Sequence, residues 1–513
     1  MNLLSDAIFS VTLPDGAKDR LDLPSVLAQL SAGDILSFDA LQLHQEQAWY
    51  CFLVQLAAIT LGRSSTLSAL SVNSNLWRNA LRELTAEHHA DEPWKIIVST
   101  LDKPGFMQPP VPEKSRKGFR DLGTYADSLD VLITTKNHDV KAGKVVSPVT
   151  EHWVFSLICL QTIQGYSGNK NYGVARMNRG YGSRPWIGFS VGESIGARFR
   201  RDVAILMGDR VRLCQEFGFN NHGIALLWML PWSGDTAVTH RRLDPYFIEV
   251  CRRVRLVTLS DNKHHAFFKP TACARVLAEE LKGNIGDPWT PVEREQGAAL
   301  TLGEAGFDFR KLHEILFEGK YRPAACQIVR NEDKDKGEIL FKGVCMVRGQ
   351  SVTGGFHSRT VPIPGKVRLM LTNQQEKARV RKLSGERIEA TATCQRKVLK
   401  PAILTLIQGA PEKLNMKSRD ADKWTGIFQR KIDELFFPRL WDDCDTPPDK
   451  ARINWAHVLR NVTLKVFEDA VGSVPIASAD RYRILARAEG LLKNSMYKNF
   501  PELQQNKSEE KRT

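Results

Sequence analysis

The sequence changes character near residue 365, and that change limits the folds open to it. Before it, glycine, proline and short apolar runs alternate, as in a mixed domain. After it, glycine and proline thin out. Helix formers dominate Arg368 to Lys397 and Pro401 to Ile407, and the pattern continues in Lys423 to Leu440, Ile453 to Ala470 and Ala479 to Tyr497. Helices of that length joined by short turns pack as bundles. The chain therefore reads as α+β. A large mixed N-terminal domain covers residues 1–365, and a C-terminal helical bundle covers 366–500. Residues 501–513 are polar and read as a flexible tail.

The chain has 513 residues, more than one hydrophobic core normally serves, so two or three domains are expected. Its 42% hydrophobic and 25% charged composition is that of a globular protein. The net charge of +14 favours a polyanionic partner. Met1 to Asp6 lacks the basic and apolar regions of a signal peptide. The most apolar run, Cys51 to Leu61, is about half the length of a membrane span. A cytoplasmic protein without membrane contact is expected. The nine cysteines are odd in number and widely spaced, with no Cys-x-x-Cys pair. That excludes a disulfide framework and a ribbon-type zinc site. Most should be small buried hydrophobes.

Local patterns place the elements of the first domain. Ala7 to Leu13 reads as a strand, with helix starts at Ser25 and Asp39. Phe38 to Leu61 reads as a long core helix and Ser74 to His88 as another. Residues 103–150 are broken by Pro104, Pro109, Pro110 and Pro112 and read as a long functional loop, with a short strand at Leu129 to Thr134. His152 to Gln164 is a short helix or a buried strand. Trp186 to Val191 is a strand and Ile195 to Met207 a helix. Residues 223–232 read as a core strand, and Arg252 to Val257 as a basic one.

The stretch from Asn169 to Pro185 holds the strongest functional signal. Gly165, Gly168, Gly173, Gly180 and Gly182 recur there, with Arg176, Asn178, Arg179 and Arg184 among them. Glycine lets a backbone approach a partner closely. Arginine is the preferred donor to phosphates and base edges. Each glycine alone would be an ordinary turn residue. The cluster, in a basic protein, reads as a nucleic-acid site.

No catalytic motif competes with it. The chain has no Walker A loop, no Gly-x-Ser-x-Gly elbow and no His-Glu-x-x-His helix. His138-Asp139 is a lone pair. His264 and His265 are adjacent, so on a strand they point to opposite faces. Two other readings stay open: a metal-dependent nuclease, and a basic scaffold that binds only proteins.

Several segments, in order, resemble the CasA family, the large subunit of the type I-E CRISPR surveillance complex Cascade. Met1-Asn2-Leu3-Leu4 is similar to that family's start. Pro104-Gly105-Phe106-Met107-Gln108 resembles its Pro-Phe-Met-Gln element. Tyr172 to Pro185 resembles its glycine-rich loop, and Gly223 to Trp232 its Gly-Leu-Phe-Trp strand. Asp287-Pro288-Trp289-Thr290-Pro291 resembles a Pro-His-Ser-Pro turn, and Gly319-Lys320-Tyr321-Arg322 a Gly-Gly-Tyr-Arg element. The helical C-terminal part resembles the family's four-helix bundle.

The resemblance implies a non-catalytic antiviral-defence subunit, and no small cofactor or metal is expected for this chain. It would read the protospacer-adjacent motif (PAM) of double-stranded DNA and wedge the duplex open for guide RNA pairing, which forms an R-loop. Its partners would be target DNA, the 5′ end of the guide RNA, the other Cascade subunits and, transiently, a helicase-nuclease. In such a division pairing reads the sequence and protein reads the short motif. The resemblance places the wedge at Arg322, Pro323, Ala324 and Ala325, with Gln327 just beyond. Some members carry Asn and Gln where this chain has Ala324 and Ala325, so the wedge chemistry stays open. Arg294 stands nearest the family's motif-contacting lysine, with Lys269 as an outside candidate. Lys136, Asn137, His138 and Asp139 match the segment that reaches toward the guide RNA and backbone subunits. Near the zinc site of some members this chain has only His264, His265 and Cys273.

Overall fold

The computed structural model describes residues 1–129, 147–178, 180, 182–330, 333, 339–349 and 352–504. Lys136, Asn137, His138, Asp139 and Arg179 lie outside the described residues, as does nearly all of the strand expected at Leu129 to Thr134. The chain divides into two compact units. One comprises residues 1–307 and 320–362, the other residues 308–319 and 363 onward.

The first unit is built around a helix with no polar face. In Glu46–Arg63 every residue from Gln47 to Leu61 is buried. A helix that is apolar all round belongs inside a core. It packs against the helices Thr150–Ile163 and Ile195–Phe217 and the strand Leu243–Ile248. Trp49 lies amid the rings of Phe9, Phe38, Phe52 and Phe155, with centroids 4.9 to 5.6 Å away. The helix starts later than its apolar spacing suggests. Phe38 is captured by a strand, Ser37–Phe38, that pairs with Val11 of Phe9–Thr12. The segment that could be helix or strand is the helix Thr150–Ile163, buried on all sides.

The strand Trp186–Val191 forms as expected. It pairs antiparallel with Ile339–Gly349, placing Phe189 opposite Phe341. Ile339–Gly349 in turn pairs with Val352–Ile363. Local patterns had not marked these two strands, although Ile339 to Phe341 and Val344 to Val347 are apolar runs. The strand expected over 223–232 shrinks to Ile224–Leu226. Beyond it Trp228 turns into the core and its indole donates to the Pro93 carbonyl at 3.0 Å.

Much of this unit is irregular, and its backbone groups must still find partners. Long side chains supply them. The Gln108 amide donates to Ile96 O at 2.7 Å and accepts from Leu256 N at 2.7 Å. The Gln161 amide donates to Met107 O and Arg252 O and accepts from Cys251 N. Arg255, on the strand Arg253–Thr258, donates to the carbonyls of Thr100, Lys103, Gln108 and Pro109. The proline-rich segment has few N–H groups to form a ladder, so a buried arginine takes up its carbonyls. This basic strand therefore spends its charge inside.

The second unit is helical. Gln374–Thr393 continues through a π-turn at Cys394–Leu399 into Lys400–Ile407. Asp422–Asp443, Pro448–Ser473 and Arg481–Asn499 follow. The stretch expected as one helix from Arg368 is cut at Asn373, whose side chain caps the next helix by accepting from Gln375 N and Glu376 N. Residues 308–319 join this unit. Asp308 caps them by accepting from Lys311 N, and Phe309 stacks on Phe436 at 4.8 Å. The chain is thus a mixed α+β protein with long C-terminal helices. Among the described residues no helix is long and apolar enough to cross a membrane. Seven of the nine cysteines are buried.

Candidate nucleic-acid interface

The glycine-rich stretch folds back so that three backbone passes touch. Tyr166 N donates to Gly180 O at 3.0 Å, and Val174 N donates to Gln164 O at 3.0 Å. A Cβ on Gly165 would collide with the Gly182 carbonyl and lie 2.6 Å from the Gly180 carbonyl. A Cβ on Gly173 would lie 2.6 Å from Gly165 C and Tyr166 N. These glycines are required by one another, since only bare backbone fits that closely. Gly168 serves differently. Its φ of +127° shapes an exposed turn with open space around it. Gly180 is looser, with its nearest would-be neighbour at 3.3 Å. It is the better position for adding a side chain without refolding the loop.

The arginines overturn part of the sequence reading. Arg176 is 2% exposed and Arg184 1% exposed, so neither guanidinium reaches a phosphate. Arg176 lies over the Phe247 ring at 4.4 Å and donates to the carbonyls of Pro245 and Phe247. Burial pushes its pKa down to about 10. Arg184 pairs with Asp287 at 2.6 Å and lies 5.3 Å from the Trp289 ring. Burial is the largest influence and works against its charge, but Asp287 together with Cys51 and Glu249 raises its pKa overall. A third buried cation, Arg252, donates to Gly165 O at 3.0 Å and Ser167 Oγ at 3.2 Å. The arginines hold the loop from beneath. Among its described residues Ser167, Asn169 and Lys170 are polar and exposed, and Asn178 is half-buried.

Sequence reasoning missed the two carboxylates that make this possible. Asp287 neutralises Arg184. Glu249, fully enclosed, accepts the Ala175 N–H with both oxygens, at 2.8 and 3.0 Å. A signal existed: Glu249 stands alone in the apolar run from Tyr246 to Val250. Burial raises the Glu249 carboxyl to about 7, from an ordinary 4.5. The folded protein therefore keeps a proton that the unfolded chain releases between those two values. The stability this provides is full below 4.5 and is lost as pH rises through 7. The loss approaches about 3 kcal/mol. Glu249→Gln is expected to flatten this slope. Urea unfolding at about pH 5 and about pH 8 checks it, with a steeper decline in wild type as the expected result.

A cavity of about 290 Å³ opens above the glycine backbone. Tyr166 and Tyr172 stand in its wall edge to face, 6.3 Å apart, and Val174, Met177 and Val276 add apolar surface. Tyr172 is anchored by its hydroxyl, which donates to Ala272 O at 3.1 Å.

The turn after Tyr321–Arg322 forms a second feature. Arg322 is tied to Glu216 at 2.7 Å and to Asn284 Oδ1 at 2.6 Å. Ala324 is buried and Ala325 half-buried, so neither is a projecting side chain. Gln327 also turns inward: it accepts from Ala324 N at 3.0 Å and donates to Trp289 O at 2.7 Å. What the turn presents is Pro323, exposed, and Ile328, 47% exposed. Both line a cavity of about 260 Å³ that also includes Arg212, Arg322 and Arg330. Arg294 is exposed on the neighbouring strand edge, where its N–H donates to Lys320 O. Lys269 is occupied, donating to Ser115 O at 3.1 Å and Lys117 O at 2.6 Å.

Among the described residues no group of three or more His, Cys, Asp and Glu side chains converges to hold a metal. His264 Nδ1 lies 2.9 Å from Thr258 Oγ1, while His265 bridges Asp121 and Asp261. The two histidines face different partners, as adjacent strand residues must.

Fold and site together define a class: an α+β chain with long C-terminal helices and a loop of mutually packed glycines. Solved structures share the fold over nearly their whole length. CasA (Cse1) of Thermus thermophilus aligns with TM-score 0.64 at 13% identity, covering 97% of this chain and 99% of its own. Cse1 of Thermobifida fusca aligns with TM-score 0.65 at 13% identity, covering 98% of each chain. A chain of a CRISPR RNA-guided surveillance complex aligns with TM-score 0.58 at 12% identity, covering 96% and 99%. The fold is that of the CasA (Cse1) proteins, as the sequence resemblance implied. No protein-family model and no curated protein matches the chain.

Proposed function

We propose that this chain is the non-catalytic large subunit of an RNA-guided CRISPR surveillance complex. In that role it recognises the PAM of double-stranded DNA, helps open the duplex for guide RNA pairing and helps recruit the helicase-nuclease. The observation that carries the reading is the end-to-end likeness of fold to CasA proteins and to a chain of a CRISPR RNA-guided surveillance complex. The net charge of +14 agrees with a polyanionic partner. The rigid glycine floor and the apolar tip at Pro323 and Ile328 supply two surfaces of the right chemistry.

Loop contact is assigned to Asn169, Lys170, Asn178, Arg179 and the glycine backbone, because Arg176 and Arg184 are buried. Opening comes from Pro323 and Ile328. Apolar side chains of this kind unstack base steps at a cost of about a few kcal/mol, which contacts to the bent duplex offset. Arg330 lines the same cavity and is assigned to phosphate contact, whereas Arg212 and Arg322 are engaged by Asp209 and Glu216. Lys136, Asn137, His138 and Asp139 are assigned to the guide RNA and the neighbouring subunits.

The test is target binding by the guide RNA and the other subunits, with and without this chain, on duplexes that differ only in the bases flanking the protospacer. Discrimination that appears only when the chain is present supports the reading. Equal pairing with every flank sinks it and favours a protein-binding scaffold. Metal-dependent cleavage of bare nucleic acid would favour a nuclease. Within the assembled complex, Ile328→Ala is expected to slow strand opening about tenfold, equivalent to about 1.4 kcal/mol, with thermal stability unchanged. Permanganate reactivity of unpaired thymines measures it. An unaltered opening rate removes Ile328 from the wedge.

A further inference from the structure

Arg201 lies on the helix Ile195–Phe217 with its side chain buried. Its guanidinium reaches the turn that carries Ile328. Nη2 donates to Ile328 O at 2.9 Å and Nη1 to Cys326 O at 3.3 Å. Nε and Nη2 donate to the Asp333 carboxylate at 3.1 to 3.2 Å. Asp333 is buried too and carries the hold further along the turn. It accepts from Arg330 N at 3.0 Å, and its own N–H donates to Arg330 O at 3.1 Å. One planar fork and one carboxylate therefore fix the backbone at Cys326, Ile328 and Arg330. Only arginine offers several donors in a rigid fork of this kind.

The directions of the side chains follow from that hold. Gln327 is turned inward, donating to Ile187 O at 3.3 Å and to Trp289 O at 2.7 Å. Among residues 326–330 only Ile328 is exposed. Isoleucine is β-branched and stiff at χ1, so with its backbone fixed it has little room to fold away. Stiffness matters for a wedge in particular. Unstacking base steps costs free energy, and the turn bears the opposing force. A turn that yields leaves the stack closed while contacts elsewhere still form. A turn ordered before binding loses no further conformational freedom on contact.

Arg201 is also tied to the core. Nη1 donates to Asp202 Oδ1 at 3.2 Å and to Phe189 O at 3.3 Å. Asp202 in turn accepts from Tyr50 Oη at 2.9 Å and Trp289 Nε1 at 3.0 Å. Removing Asp333 thus loosens the turn and still leaves Arg201 a carboxylate partner.

We infer that Arg201 and Asp333 are positioning residues that clamp the turn 326–330 to the core, so that Ile328 stays projected and duplex binding drives strand opening. The inference rests on the strand-opening reading of this turn and adds to it the device that makes the wedge stiff.

The experiment has two readouts. In the free full-length chain, amide hydrogen exchange over residues 326–330 is compared among wild type, Asp333→Ala and Arg201→Lys. Lysine keeps the charge but has no fork. Exchange there should rise about tenfold or more in both variants, with the helix Glu46–Arg63 unchanged. In the complex assembled with guide RNA and the other subunits, permanganate reactivity follows the opening of a matched duplex. Opening should slow about tenfold in Asp333→Ala, as in Ile328→Ala, since a wedge that yields does no more than one that is missing. Binding to a duplex with the same flank but no match to the guide stops before opening, and should change less than about twofold. A merely structural role would lower binding and opening together. If Arg201→Lys fails to fold, Asp333→Ala decides alone. Unchanged exchange over residues 326–330 overturns the inference, as does unchanged opening in a folded Asp333→Ala variant or an equal loss of binding and opening. Opening that is indifferent to the flank yet slows in Asp333→Ala sinks the PAM reading and leaves the clamp standing.

Discussion

Gly165→Ala is expected to destabilise the protein by about 3 kcal/mol, the upper range for forcing atoms into a packed site. Its Cβ would collide with the Gly182 carbonyl and lie 2.6 Å from the Gly180 carbonyl. Both obstacles are backbone, so no side-chain rotation relieves them. Either the loop opens, breaking the bond from Tyr166 N to Gly180 O, or the strain remains. The control is Gly182→Ala, whose Cβ would have nothing closer than 3.9 Å. It should change stability by less than about 0.5 kcal/mol. Urea unfolding of both variants measures the difference. Equal stabilities would mean that the three backbone passes do not pack as described.

The second large effect is expected at Asp287. Asp287→Ala should cost about 3–5 kcal/mol, because it leaves the enclosed Arg184 cation without its counter-charge. Arg184 and Asp287 are 2.6 Å apart and both side chains are 1% exposed. Asp287 also accepts from Trp289 N at 2.9 Å and Thr290 N at 3.0 Å. Asp287→Asn keeps an acceptor for those two groups and removes only the charge, so it separates the two contributions. The double change Arg184→Met with Asp287→Asn should recover much of the loss, since a matched apolar replacement leaves no buried charge. The cost should also be nearly independent of salt, as the pair is shielded from mobile ions. A large salt dependence, or a loss below about 1 kcal/mol, would mean that the pair is solvated.

These two sites mark how far the sequence could be read. The glycine cluster was legible as a place of close backbone approach, because the missing Cβ is a property of the residue itself. What it approaches was not legible: Gly165 and Gly173 approach each other's backbone, and their tight spacing looks the same in sequence either way. The strand Arg253–Thr258 was legible as basic, yet Arg255 points into four carbonyls of the proline-rich segment. In the turn after Tyr321–Arg322, where the wedge was expected, Gln327 faces inward and Ile328 faces out, a difference that no local pattern carries.

The sequence by itself determined the long C-terminal helices, the buried helix Glu46–Arg63 and the likeness of fold to CasA proteins. Helix period, composition and glycine placement are local quantities, carried by neighbouring residues. Only the tertiary structure decided which cations are available to a partner. Arg184 finds its carboxylate 103 positions away at Asp287, and Ala175 finds Glu249 at 74 positions. The free energy of a charge depends on burial and on the nearest opposite charge, and both are set by packing of distant segments. For that reason a loop that reads as an arginine-studded surface becomes, once folded, a glycine floor held from beneath by Arg176, Arg184 and Arg252.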